Sequence, residues 1–266
     1  MTNPGMNPGL ALTTMRETAP LVQCITNYVA MNAMANVLLA VGASPAMVHA
    51  REEAPEFAGI ASALTVNIGT LSASWVQSME ATAQAARAAG RPWVLDPVAA
   101  GATAFRRQTC AALLAQEPSV IRGNASEILA LAGTAAAGKG ADAADEVSAA
   151  EEAARALSRE SGAVVAVTGA VDLVTDGNRA ARVENGHGMM PRVTALGCAL
   201  TGVVGAFVVG QDRFEATVAA LACYGLAGEI AADGAAGPGS FQVRFIDALY
   251  GLTPEALSAG ARIAQA

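Results

Sequence analysis

The sequence predicts an α/β fold: a single domain of three layers, α/β/α, around a mostly parallel central sheet. Three observations carry that expectation. Short apolar runs alternate with longer helical ones along the chain. The short runs are apolar at nearly every position, as strands covered on both faces must be. The 266 residues hold 53% hydrophobic types and only 15% charged ones, enough core for one large domain. No long linker, low-complexity tract or fixed-period repeat divides the chain. Residues 1–266 therefore read as one domain, with 1–19 a poorly ordered or helical extension.

The elements follow in order. Leu21–Ile25 reads as a strand and Val29–Val41 as a helix, then Ala46–His49 as a short strand. Leu64–Asn67 is a strand, followed by a helix around Ser74–Ala89 and a buried strand at Arg91–Asp96. Arg107–Gln116 is helical, Ser119–Arg122 a strand and Ala125–Ala132 a helix. The Ala-rich stretch Thr134–Ala150 reads as a surface loop leading into an amphipathic helix, Glu146–Glu160. Ala163–Thr168 is a strand. Val171–Thr175 and Arg179–Val183 form a hairpin turning at Asp176-Gly177. Ala199–Val209 and Phe214–Ala232 are apolar helices, and a last helix follows Phe241.

In parallel sheets, ligands bind beyond the carboxyl ends of the strands. Here each apolar run stops at a polar residue: Thr26-Asn27, Asn67, Asp96, Arg122 and Thr168. Parallel strands bring these residues to one rim. Amides, a carboxylate, a guanidinium and a hydroxyl together suit a phosphorylated ligand with a metal. Taken singly, each is also an ordinary strand-to-loop boundary.

Composition excludes other chemistries. A net charge of −7 argues against a nucleic-acid backbone as partner. Lys139 is the only lysine, and His49 and His187 are the only histidines. A His-rich metal site cannot be built from them. Cys24, Cys110, Cys198 and Cys223 are widely spaced, with no C-x-x-C pair, which fits a reduced, cytoplasmic setting. The N-terminus has no basic, apolar leader pattern. The uncharged stretches Leu21–Ala50 and Val193–Gly210 read as buried elements rather than membrane spans, since Asn, Gln, Pro and Gly interrupt them.

The segment V-T-A-L-G-C-A-L-T-G-V-V-G-A (Val193–Ala206) is the most informative. A Gly-Cys pair sits where an apolar helix should begin. Gly197 lets the backbone approach a ligand, and free amides there hold an anion. The helix dipole is expected to stabilise a Cys198 thiolate, and Cys198 can orient a substrate hydroxyl or take its proton. A small buried core cysteine is the alternative. Asp96, before Pro97, can hold Mg²⁺ through water or cap its loop. In R-G-N-A-S-E, Asn124 and Glu127 have capping-box spacing. Glu127 can also serve as a second Mg²⁺ carboxylate, and Arg122 as a phosphate contact. Gly133–Gly140 mimics a P-loop but ends in Gly and follows a helix. No dinucleotide fingerprint follows the first strand, and there is no nucleophile elbow around Cys198.

C-I-T-N-Y-V, L-L-A-V-G-A-S-P-A-M, N-I-G-T-L, W-V-L-D-P-V-A-A-G-A-T, I-R-G-N-A-S-E-I, V-A-V-T-G-A-V-D and G-C-A-L-T-G occur in that order. Together they resemble the hydroxyethylthiazole kinase family of thiamine salvage, from about Pro20 to just beyond Phe241. The resemblance implies a ribokinase-like fold without a separate lid domain. It implies ATP- and Mg²⁺-dependent phosphorylation of 4-methyl-5-(2-hydroxyethyl)thiazole, and a homotrimer with sites between subunits. Carried over by motif, Cys198 stands at the reacting hydroxyl, and Asn27, Met47, Asn67 and Gly197 at the thiazole. Arg122, Thr168 and Gly197 stand at ATP, and Asp96 and Glu127 at Mg²⁺. The family usually has G-T-G-C before the helix, whereas this chain has Ala195-Leu196-Gly197-Cys198. Two other readings stay open here. One is a kinase for another heterocyclic alcohol, such as a hydroxymethylpyrimidine or pyridoxal-like compound. The other is a non-catalytic thiazole- or nucleotide-binding protein.

Overall fold

The computed structural model describes residues 6–133 and 143–266. The chain opens with helix α1 (Pro8–Thr18) and strand β1 (Leu21–Ile25), then α2 (Met31–Val41), β2 (Ser44–Ala46), α3 (Ala54–Ile60) and β3 (Ala63–Asn67). It continues through α4 (Ala73–Ala88), β4 (Trp93–Asp96), α5 (Ala104–Leu114), β5 (Val120–Asn124), α6 (Ala125–Leu131) and α7 (Ala143–Ser161). Then come β6 (Val164–Thr168), β7 (Asp172–Thr175), β8 (Ala180–Val183) and a 3₁₀ turn at Met190–Arg192. The chain closes with α8 (Leu196–Phe207), α9 (Arg213–Ala232), α10 (Pro238–Gly251), α11 (Pro254–Gly260) and β9 (Ile263–Gln265). Polar caps start many of the helices. Ser72, Thr103, Asn124, Asp212 and Thr253 each accept the amide three residues on, which satisfies a donor the helix itself cannot use.

The strands form one sheet in the order β2-β1-β3-β4-β5-β6-β7-β8-β9. The pairs from β2 to β6 are parallel, and β7, β8 and β9 add antiparallel strands at one edge. Alternating side chains enter two different cores, as the pleat requires. Val22, Cys24, Val94, Val120 and Ala166 pack with residues of α1, α2, α8, α9 and α10. Ile25, Leu64, Leu95, Ile121 and Val165 pack with residues of α3, α4, α5, α6 and α7. That is the expected three-layer arrangement.

From β1 the chain passes to β2 on one side and then to β3 on the other. The reversal of direction opens a crevice at the carboxyl ends of β1 and β3. Helix α8 is held tightly over this region by small residues. A Cβ at Gly205 would sit 2.7 Å from the Thr65 side chain, so only glycine lets the helix lie this close to β3.

The structure departs from the sequence reading in several places. The second strand is Ser44–Ala46, not Ala46–His49, because Pro45 and Ala46 pair with β1 and residues 47–50 leave the sheet. The N-terminal segment includes an ordered helix, α1. Its Leu12 and Met15 are fully buried, and Arg16 ties it to the carbonyls of Val41, Leu249 and Leu252. Helices α3 and α11 and strand β9 were not anticipated. Helix α10 begins at Pro238, before Phe241. Lys139 and nearly all of the P-loop mimic Gly133–Gly140 lie outside the described residues. The stretch Val193–Gly210 is largely α8, buried in the core. Among the described residues, α9 alone is long and apolar enough to cross a membrane, and its apolar window is 83% buried inside the protein.

Candidate active site

The polar residues do gather at one rim, although Arg122 lies inside β5, which runs on to Asn124 rather than ending at Arg122, and hydrogen bonds join them. Asn67 and Asp96 face each other across the β3–β4 register. The Asn67 amide donates to Asp96 Oδ2 at 2.7 Å. Asn67 Oδ1 in turn accepts the Asn27 amide nitrogen at 2.9 Å and the Gly69 N–H at 2.9 Å. The same Asn27 nitrogen lies 3.2 Å from Cys198 Sγ. Its orientation is fixed from the other side, because Asn27 Oδ1 accepts the Ala30 amide at 3.0 Å. A chain Cys198–Asn27–Asn67–Asp96 therefore runs across the carboxyl ends of β1, β3 and β4.

Cys198 belongs to the first turn of α8, which begins at Leu196 rather than Ala199. The thiolate expected from the helix dipole is not favoured. Burial, with Asp96 nearby, raises the thiol above its ordinary pKa, and hydrogen bonds from Asn27 and Asn67 offset this only in part. At neutral pH the group is an S–H. Ala195, at the entry to α8, adopts the left-handed conformation with φ 67°. This places a Cβ in a region L-residues rarely occupy. No side chain caps this helix start, so its first-turn amides and positive dipole end suit an anion.

Asp96 is buried and its pKa is pushed up to about 6, chiefly by desolvation and against the lowering influence of Arg122. Thr201, one turn along α8 from Cys198, donates to Asp96 Oδ2 at 2.8 Å. Oδ2 is therefore doubly satisfied, while Oδ1 is buried without a partner. Arg122 spans the centre of the rim. It donates to the Gly197 carbonyl at 3.0 Å and to Thr168 Oγ1 at 2.6 Å, and its guanidinium lies 3.7 Å from Asp96.

Glu127 completes a capping box with Asn124, as its spacing predicts, and also accepts the Ala99 amide at 2.9 Å. Among the described residues there is no cluster of three or more His, Cys, Asp or Glu able to hold a metal. Mg²⁺ commonly takes one or two carboxylates, with waters and phosphates filling the rest of its shell. An unpartnered buried oxygen on Asp96, with Glu127 close enough to raise its pKa, fits such an ion.

Beside Arg122 opens a cavity of about 710 Å³, lined among others by Thr168, Asp172, His187, Leu196, Gly197 and Tyr224. Of the anticipated residues, Arg122, Thr168 and Gly197 line it, and Cys198, Asn27, Asn67 and Asp96 form the adjoining chain. Met47 enters neither. It is half-buried in the loop after β2 and packs against the core that contains α2 and α8.

Sequence reasoning missed three residues. Thr201 was legible as the i+3 neighbour of Cys198 on a helix. Tyr224, whose hydroxyl donates to the Leu196 carbonyl at 2.7 Å, left no signal within an apolar helix. Asp172 accepts the Gly169 amide at 2.9 Å, and burial lifts its carboxyl to about 6. Its position at the start of a hairpin gave no pointer to the cavity.

The hydroxyethylthiazole kinase family profile matches residues 12–255. A hydroxyethylthiazole kinase from Cereibacter sphaeroides is 69% identical over 255 residues, covering 96% of this chain and 97% of that protein. One from Rhizobium leguminosarum bv. trifolii is 65% identical over 261 residues, covering 97% and 98%. The solved structure of a hydroxyethylthiazole kinase protein from Pyrococcus horikoshii OT3 superposes with a TM-score of 0.90 at 41% identity, covering 97% of this chain and 98% of that one. Pyridoxal kinase from Staphylococcus aureus, in complex with pyridoxal, shares the fold at a TM-score of 0.58 and 16% identity, covering 76% and 84%.

Proposed function

The chain belongs to the hydroxyethylthiazole kinase family, and from that premise we propose how its rim of polar residues carries out the reaction. The enzyme transfers a phosphoryl group from ATP to the hydroxyl of 4-methyl-5-(2-hydroxyethyl)thiazole. One observation carries the assignment of roles: a single amide, Asn27 Nδ2, ties the Cys198 thiol to the Asn67–Asp96 pair.

Cys198 places the alcohol. A neutral thiol held by Asn27 is a poor base, so its contribution is to orient the hydroxyl for in-line attack. Asn27, Asn67 and Gly197 border the thiazole, and Met47, which lies outside both the hydrogen-bonded chain and the cavity, would have to reach it from the loop after β2. Arg122 and Thr168 meet the phosphates of ATP, and the first turn of α8, at Gly197, holds the anion that develops on transfer. Asp96, through Oδ1, and Glu127 would hold Mg²⁺ through water. When bound, the ion neutralises charge on the phosphate chain. Thr201 and Asn67 keep the Asp96 carboxylate turned toward that task. None of these roles needs a lysine or a histidine.

The alcohol side of the rim is open beside Asn27, where Tyr28 is 64% and Val29 60% exposed. Apolar side chains left uncovered next to a small-molecule site support a homotrimer in which a second copy closes it. Four free cysteines support a reducing, cytoplasmic setting. The partners are the thiazole alcohol and ATP, with no role for nucleic acid or membrane.

The test is ADP release in a coupled assay, with the thiazole alcohol, a hydroxymethylpyrimidine and pyridoxal as acceptors, each with and without Mg²⁺. Release that requires both Mg²⁺ and the thiazole alcohol is expected. Faster turnover of another alcohol, or turnover independent of the metal, overturns the assignment.

A further inference from the structure

One wall of the 710 Å³ cavity is positioned from outside it. Residues 184–189 form a strap between β8 and the 3₁₀ turn, and Asn185, Gly186, His187 and Gly188 of this strap line the cavity. A short stretch of α9, together with Gly260 and Arg262 at the end of α11 and beyond it, holds the wall in place. Tyr224 fixes the start of α8 through the Leu196 carbonyl. Gly225 lets the strap lie directly on the helix, because a Cβ there would sit 2.5 Å from the Asn185 carbonyl oxygen.

One turn on, Glu229 Oε1 accepts the Gly186 amide at 2.8 Å and the Asn185 side-chain amide at 3.3 Å. Arg262 locks the carboxylate, donating to its two oxygens at 2.9 and 2.6 Å. The Arg262 backbone amide also donates to Asn185 Oδ1 at 2.7 Å, and the Asn185 amide reaches the Gly260 carbonyl at 3.0 Å. Burial opposes the charge on Glu229, but the hydrogen bonds from Arg262 and Gly186 outweigh it and hold the pKa below the ordinary value. Asn185 is itself buried, with both ends of its amide satisfied. Glu229 does not line the cavity, so it acts only through the strap.

We propose that Glu229 is a positioning residue for ATP, seating the strap through Gly186 and Asn185 so that the cleft wall is preformed before the nucleotide arrives. The proposal rests on reading this cavity as the nucleotide cleft. Its consequence is selective. Loosening the strap weakens ATP binding and leaves the alcohol side, built from Cys198, Asn27 and Asn67, as it was.

The experiment uses the full-length enzyme. In the parent, Mg²⁺-ATP is expected to slow amide exchange across residues 185–190. Glu229→Gln is expected to raise the KM for ATP about five- to tenfold. The KM for the thiazole alcohol should stay within twofold and kcat within threefold. An unchanged ATP KM, or an equal rise in both KM values, overturns the proposal. If ATP leaves exchange at 185–190 unaltered, the reading of the cavity fails and the proposal falls with it. If exchange slows but the ATP KM does not move, only the role of Glu229 fails. Should Glu229→Gln not fold, Arg262→Gln at the half-exposed rim keeps Glu229 itself and should give the same split at two- to threefold. A flat response from that variant counts equally against the proposal.

Discussion

Replacing Thr201 with Val tests whether the ionisation of Asp96 governs the reaction. The two side chains have nearly the same shape, and position 201 is fully buried, so the change removes one donor and little else. That donor is the hydroxyl 2.8 Å from Asp96 Oδ2. A hydrogen bond to a charged group contributes about 1.5–3 kcal/mol, and one pKa unit corresponds to about 1.4 kcal/mol. Losing it should raise the Asp96 pKa from about 6 by roughly 1–2 units. At pH 7 the ionised fraction then falls from about nine-tenths to between a half and a tenth. The assay is kcat/KM by coupled ADP release between pH 5.5 and 9.5. The acid limb should move to higher pH by about one to two units, with activity recovering toward the parent by pH 9. A uniform loss at every pH, with the acid limb unmoved, would falsify the claim that Asp96 must be ionised.

Three further substitutions probe the same rim. Cys198→Ala is expected to lose most of the activity and Cys198→Asp to retain it; an Ala variant as fast as the parent removes Cys198 from the mechanism. Ala195→Gly relieves a left-handed L-residue at φ 67°, a cost of about 1–2 kcal/mol, against a glycine entropy penalty of about 0.5–1 kcal/mol. The melting temperature should rise by a few degrees with kcat unchanged, and a fall would refute the strain argument. Asp96→Asn should abolish activity yet stabilise the fold. Because the folded-state pKa of Asp96 is raised, its contribution to stability is greatest below pH 4 and is lost as pH rises toward 6. The variant's advantage in urea unfolding should therefore be absent near pH 4 and full above pH 7. An advantage that does not change with pH would point to another cause.

The layers were legible because buried parallel strands leave continuous apolar runs. The rim was legible because each run ends at a polar residue. Asn27, Asn67, Asp96 and Thr168 could be named from strand ends alone, since parallel pairing brings those ends together, whereas Arg122 lies inside β5, which runs on to Asn124. What was hidden depends on side chains meeting across distant elements. Helix spacing sets Thr201 beside Cys198, but only the fold brings it to Asp96, and nothing in the sequence says that Glu229 reaches Gly186 across 43 positions. The second strand was misplaced because Ser44-Pro45 reads as a turn, yet Pro45 sits on the outermost strand of the sheet, where its missing N–H costs nothing. Helix α1 lies in the segment that the sequence left as poorly ordered or helical, because its apolar content is low. Its stability comes from Leu12, Met15 and Arg16 docking elsewhere, rather than from propensity.

The reversal at Cys198 explains why a thiol suits this rim. A second carboxylate at that position would face Asp96, whose charge already raises the thiol. Like charges in a desolvated site push one another toward protonation, and Asp96 already stands near 6 with Glu127 adding to the effect. A neutral S–H accepts the Asn27 amide, orients the alcohol and leaves Asp96 ionised at neutral pH. Cys198→Asp should therefore work best at higher pH than the parent, with its acid limb shifted in the same sense as that of Thr201→Val. The two changes act on one carboxylate, so their effects on that limb should be coupled rather than additive. If the double variant shows only the sum of the two shifts, Cys198 and Thr201 do not act through Asp96 together.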